Sequence, residues 1–151
     1  GGTLLAFIAI QSFLDASISW WFGLIDHPEL NMTSILGFLF WVPSWLMGVP
    51  SQDCHAVGRL VAIKTVLNEF VAYTQLVEMQ NLQTLEHRSV VIATYALCGF
   101  SNFGSIGIQL AGLSALAPDR TKDISKVILS ALAAGFVASC STACVAGLLI
   151  Q

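Results

Sequence analysis

Between positions 89 and 118 the chain carries no charged residue. An α-helix needs only about 20 apolar residues to cross a bilayer, so this run can reach from one side of a membrane to the other. A charge at mid-bilayer costs about 2.5 to 3.5 kcal/mol, and crossing segments therefore lie between charges. Two more stretches qualify. Residues 1–25 are apolar from Thr3 onward, interrupted only by Asp15, and close on Trp20 and Trp21, which suit the membrane interface. Residues 127–150 are rich in Ala, Gly, Ser and Leu, with Ala131, Gly135 and Ser139 in one row spaced by four and Ala134, Ala138, Thr142 and Ala146 in another. Such rows let neighbouring helices approach closely.

Composition agrees. Over 151 residues only 10% are charged and 56% are apolar, against about 25% charged in ordinary soluble domains, and the mean hydropathy is +0.77. Disorder is excluded on these numbers. A net charge of −3 leaves no basic face for phosphates, which excludes nucleic-acid binding. Cys54, Cys98, Cys140 and Cys144 form no C-x-x-C, so buried, reduced thiols are expected, with neither a zinc site nor a disulfide framework. The chain opens Gly1-Gly2-Thr3 without a charged leader, which reads as part of a longer protein rather than as a signal peptide.

Two hydrophobic segments between the first and second spans do not read as crossings. Residues 31–48 carry Trp41, Pro43 and Trp45, with Pro50 just beyond; the prolines break a continuous helix, and an amphipathic helix lying at the interface fits. Residues 51–78 are membrane-like yet interrupted by Arg59, Lys64 and Glu69. Two short helices that enter and leave on the same side, a re-entrant hairpin with its polar residues turned into protein, accommodate those charges. Arg120, Lys122 and Lys126 in the last loop favour the cytoplasm for that loop and the outside for the C-terminus.

Two groups of polar residues stand out. Glu69 lies between Leu67 and Val71 and must find donors or protonate, because hydrocarbon cannot solvate a carboxylate. Lys64 could neutralise it as a structural pair, or the carboxylate could be a binding group; position alone leaves both open. Asn68 could cap or turn a hairpin tip. In the charge-free run, Gly99, Gly104 and Gly107 weaken a helix by about 1 kcal/mol each, which makes a local break plausible at mid-membrane, where carriers build binding sites. Asn102 and Ser105 share a helical face and could offer an amide and a hydroxyl to one ligand, or bridge two helices. Phe100 and Phe103 beside them read as lipid-facing or core residues. His27, His55 and His87 have no metal-ligand spacing, no G-x-S-x-G elbow supports a hydrolase, and Asn31-Met32-Thr33 matches a glycosylation sequon.

Leu67-Asn68-Glu69-Phe70-Val71-Ala72-Tyr73, then Ile92 to Phe100, then Asn102 with Gly104-Ser105-Ile106-Gly107, resemble the concentrative nucleoside transporters. Leu116-Ala117-Pro118-Asp119-Arg120 and Thr142 to Gly147 fit the same family. The resemblance implies an all-α membrane protein. Residues 1–25 are then a scaffold-like transmembrane helix, and residues 26–151 are the second repeat of a transport domain. That repeat comprises an interfacial helix (31–48), a re-entrant hairpin (51–78), a broken transmembrane helix (89–117) and a last transmembrane helix (127–150). It further implies a homotrimer in lipid, in the plasma membrane, that takes up nucleosides with Na+ or H+ and catalyses no reaction. Glu69, Asn102 and Ser105 match the residues that bind ribose hydroxyls, with Phe100 beside the ligand. The first repeat, which would supply the base contacts and the sodium ligands, has no counterpart in these residues. The chain is therefore expected to be a C-terminal portion that does not transport in isolation; the alternative is a non-transporting membrane subunit or truncated relic of that family.

Overall fold

The computed structural model describes residues 2–24 and 32–150; His27 and the sequon asparagine Asn31 lie outside them. Its elements are α1 (Gly2–Gly23), α2 (Met32–Leu39), α3 (Trp41–Leu46), α4 (Cys54–Val66), α5 (Glu69–Asn81), α6 (His87–Leu97), α7 (Phe103–Leu116) and, after a 3-10 turn over Pro118–Arg120, α8 (Thr121–Leu149). There is no strand among the described residues.

Polarity is distributed inside out. Ser44, Asp53, Lys64, Glu69, Ser89, Ser101, Asn102 and Ser105 are buried, whereas Ile108, Leu116, Leu148 and Leu149 lie at least 74% exposed. In water this arrangement would expose a large apolar surface to no advantage; in a bilayer each outward side chain is solvated and each inward polar group has protein around it. The helix of Pro118–Leu149 is long and apolar enough to span a membrane.

The packed centre is the contact of α4 with α6, where Val57, Leu60, Val61, Ile92 and Leu97 are sealed from solvent. These two helices run parallel, joined at both ends. At the start, buried Asp53 accepts through Oδ2 from Ser89 Oγ (2.5 Å) and from the Glu86 backbone N–H (3.0 Å), so that a carboxylate on α4 caps α6. At the far end Lys64 reaches the Ala96 carbonyl (3.1 Å). Helix α5 returns antiparallel, held to α6 by Tyr73 Oη donating to the Thr94 carbonyl (2.7 Å). Helix α8 runs back along α6 and α7: Arg88 Nη1 donates to Ile150 O (2.6 Å), and Ser139 Oγ donates to Cys98 O (2.9 Å). Arg88 Nε also donates to Gly48 O (3.2 Å), which ties the end of α3 into the same corner.

Some boundaries match the sequence expectation and others differ, for physical reasons. The segment around Pro43 is broken into two helices at Phe40, as its proline content predicts: Pro43 falls in the first turn of α3, where its missing N–H is tolerated, and the bond from Ser44 N to Phe40 O (3.1 Å) is the first of the new helix. The last helix begins at Thr121 rather than 127, because Pro118 starts a turn and Asp123 pairs with Arg120 and Lys126 at 3.7 and 3.8 Å on an exposed end. Of the two small-residue rows on α8, Ala131, Gly135 and Ser139 line the cleft toward the 98–102 break, whereas in the other Ala134, Ala138 and Thr142 are exposed and only Ala146 is buried. Cys54 is buried as expected, but Cys98 is exposed at the helix break.

Helices α2 and α4 cross at Gly37 and Gly58. A Cβ on Gly58 would lie 2.7 Å from the Gly37 carbonyl oxygen, a contact that backbone cannot relieve by rotamer change. Gly58→Ala is expected to destabilise the protein by about 1 to 3 kcal/mol. Gly107→Ala, where nothing lies within 4 Å, is expected to stabilise by about 0.5 to 1 kcal/mol. Thermal melting of the detergent-solubilised variants checks both signs.

Candidate functional site

Four helix ends meet in the interior. Helix α4 ends at Val66, and only Leu67 and Asn68 separate it from α5; helix α6 ends at Leu97, and the residues 98–102 separate it from α7. Each end leaves backbone groups without intrahelical partners, and hydrocarbon cannot satisfy them. Asparagine meets the need at both N-termini. Asn68 is extended and accepts from Val71 N–H (3.0 Å), and Asn102 is extended and accepts from Ser105 N–H (2.7 Å). Asparagine is among the best residues for this position because its side-chain oxygen reproduces the missing acceptor.

The break around 98–102 owes less to glycine content than the sequence suggests. Of the three glycines only Gly99 lies in it, with φ +103°, a left-handed conformation that a side chain would strain. Gly104 and Gly107 are inside α7. What ends α6 is the turn at Gly99, and what begins α7 is the Asn102 cap.

Between the two capped N-termini sits Glu69, 8% exposed, at the first position of α5. Asn102 Nδ2 donates to its Oε2 at 3.0 Å, across the gap from one broken helix to the other. The carboxylate stands in the positive end of the α5 dipole and takes a charge-assisted hydrogen bond, two of the conditions that make a buried anion tolerable. Ser105 is buried on the next turn; its Oγ lies 2.7 Å from the carbonyls of both Phe100 and Asn102, to which it donates. Glu69, Asn102 and Ser105 are thus brought together. Phe100 is not packed into this group: its ring is 66% exposed on the break.

By donor inventory the trio still has capacity. The second oxygen of Glu69, the second amide hydrogen of Asn102 and the lone pairs of Ser105 Oγ can meet a ligand carrying both donors and acceptors, such as a pair of neighbouring hydroxyls.

Lys64 forms no contact ion pair with Glu69, although the two side chains are close enough to attract one another through the interior. The Lys64 side chain is fully buried, and its ammonium donates to Ala96 O and to Ser139 Oγ (3.3 Å), beneath the break rather than at the hairpin tip. The geometry explains it. Helix α4 runs parallel to α6, so a long side chain one turn before the tip reaches the end of α6, while Glu69 begins the next helix and turns toward Asn102. Gln109 was not singled out in the sequence, yet its Nε2 reaches Phe100 O (3.3 Å) and Ser105 Oγ (3.5 Å). Its place seven residues after Asn102, on the same helical face, was the available signal. His55 packs edge-on against Phe38, and no cluster able to hold a metal ion occurs among the described residues.

Discontinuous helices whose polar ends are gathered inside an apolar envelope define a class: an all-α membrane protein organised around helix breaks. Within it, the family profile described as "Na+ dependent nucleoside transporter C-terminus" matches residues 1–147, and this chain belongs to that family. Solute carrier family 28 member 3 of Mus musculus is 43% identical over 97% of the chain, and sodium/nucleoside cotransporter 1 of Homo sapiens is 38% identical over 97%. The chain spans 23% and 24% of those two proteins, about a quarter of each. Among solved structures, CNTnw in an inward-facing substrate-bound state superposes with a TM-score of 0.93 at 37% identity, covering 98% of this chain and 36% of that one. The same protein in an intermediate state gives 0.94 at 36% identity, covering all of this chain and 37% of the other.

The two asparagine caps are not equivalent. Asn68→Ala removes a cap and is expected to cost about 1 kcal/mol. Asn102→Ala removes a cap and also leaves a buried carboxylate short of a donor, for an expected loss of about 2 to 4 kcal/mol. Thermal melting separates them, and equal losses would mean that the bond to Glu69 contributes nothing.

Proposed function

We propose that the chain is the C-terminal portion of a secondary active nucleoside transporter, that Glu69, Asn102 and Ser105 bind the ribose hydroxyls, and that Phe100 lies beside the ligand. The observation that carries this reading is the hydrogen bond from Asn102 Nδ2 to Glu69 Oε2 across two helix N-termini. It holds an acceptor and a donor within reach of one another in an apolar surround. Neighbouring hydroxyls match such a set, because each hydroxyl can donate to the carboxylate while accepting from the amide. A nucleoside lacking them would leave buried polar groups unpaired, which is how a small site rejects a close analogue.

Uptake moves the nucleoside unchanged, so no bond-making step is needed; a gradient of Na+, or of H+, supplies the drive. The family match and the names of the relatives support sodium. In this reading α4 and α5 form a re-entrant hairpin facing the broken pair α6 and α7, with α2 and α3 at the interface and α1 on the scaffold. The full-length form is a homotrimer in the plasma membrane, with the basic turn of Arg120, Lys122 and Lys126 inside and the C-terminus outside. Base recognition falls to other parts of the full-length protein, and these 151 residues do not transport alone.

Glu69→Gln tests the assignment in the full-length transporter. The substitution keeps shape but removes a charged acceptor worth about 1.5 to 3 kcal/mol, so uridine affinity should fall about 10- to 100-fold. A 2′,3′-dideoxynucleoside should change by less than about threefold, having no hydroxyl to lose. Unaltered concentrative uridine uptake would remove Glu69 from the site.

A further inference from the structure

Lys64 is fully buried and makes no contact ion pair with a carboxylate among the described residues, Glu69 attracting it only from a distance, and the groups that touch its ammonium resemble the coordination shell of a metal ion more than an ion pair. Its ammonium donates to the Ala96 carbonyl at 3.1 Å and to Ser139 Oγ at 3.3 Å, and lies 5.9 Å from the centre of the Phe136 ring. Ser139 Oγ is also 2.9 Å from the Cys98 carbonyl, the last residue before the backbone turns away. A helix-terminal carbonyl and a hydroxyl, with an aromatic face nearby, are the neutral, electron-rich groups that hold a monovalent cation.

The position adds a second argument. The carbonyls at the end of a half-helix carry the negative pole of its dipole, and in carriers with broken helices these ends and the unwound backbone coordinate the coupling ion. Here α4 delivers an ammonium to that end of α6 from within the chain. Three elements, α4, α6 and α8, converge on the one positive charge.

We propose that the Lys64 ammonium is a tethered cation: it occupies, permanently and without exchange, a site at the end of α6 that would otherwise take a soluble monovalent cation. The break at 98–102 is thereby held in place in every ionic condition, and Asn102 keeps its position opposite Glu69. Lys64 is a positioning residue; it acts on the ligand only through the break. Removing the ammonium while keeping the oxygens should expose a latent cation site built on Ala96 O and Ser139 Oγ, with Cys98 O 2.9 Å from the hydroxyl.

The test is the melting temperature of the purified protein in detergent, titrated with NaCl, KCl or choline chloride at constant ionic strength. No nucleoside is present. The proposal rests on reading the molecule as part of a cation-coupled carrier, but this readout contains no transport, so its failure leaves that reading standing. Wild type should move by less than about 1 °C between KCl and choline chloride, and any rise it shows in NaCl, from coupling-ion binding elsewhere in the full-length protein, is the baseline subtracted from each variant. Lys64→Ala, which leaves room for an ion, should melt lower in choline and recover by about 5 °C at saturating Na+ or K+, the size expected of a ligand near 100 times its dissociation constant. Lys64→Met fills the space with an apolar chain and should melt lower without recovering. Ser139→Ala combined with Lys64→Ala should weaken the recovery at least about tenfold in cation concentration. Identical responses of wild type and Lys64→Ala overturn the proposal, as does recovery of Lys64→Met to the same degree. Failure of Lys64→Ala to gain stability, or to fold, at any concentration of either metal ion overturns it too.

Discussion

A helix that ends inside an apolar medium leaves as many as four N–H or four C=O groups without partners, and no water is available to take them. The interior of this molecule answers that constraint at three such ends. Asn68 and Asn102 satisfy the two N-termini through their side-chain oxygens. Lys64 donates to the Ala96 carbonyl at the C-terminal end of α6. Once these ends are fixed, the carboxylate of Glu69 is left between two positive dipole ends with one donor already in place. The polar cluster follows from the backbone breaks, which in turn exist only because the cluster satisfies them.

The same logic accounts for the placement of charge. The buried polar residues all lie on α3 through α7 or their connections, whereas the charges on the first turns of α8 stay exposed and pair loosely with one another. Exposed pairs of that kind are worth little. Asp53 is the instructive case, because its carboxylate is spent on the start of a different helix from its own. Long-range caps of this sort are how separate helices are brought into register without large side chains.

Charge made part of the layout legible: the segment interrupted by Arg59, Lys64 and Glu69 contains the two short helices α4 and α5, and the charge-free run contains α7 and most of α6. The polar tip of the hairpin was legible because Asn68 and Glu69 sit in an otherwise apolar stretch. The hidden part was direction. No local pattern says that Lys64 points along α4 to Ala96 while Glu69, five residues later, points to Asn102, since that depends on α4 running parallel to α6. Nor could glycine counting locate the break, because a glycine inside α7 and one with positive φ read alike in sequence. Pro43 was legible, since a helix break lies three residues before it and its ring sits in the first turn of the next helix.

The bonds from Arg88 to Gly48 O and Ile150 O have a mechanical consequence. One guanidinium fastens the connection after α3, the beginning of α6 and the terminus of α8, so tension applied at any of the three is transmitted to the others. These parts are stitched at one point, so fraying of any of them removes a partner from the other two.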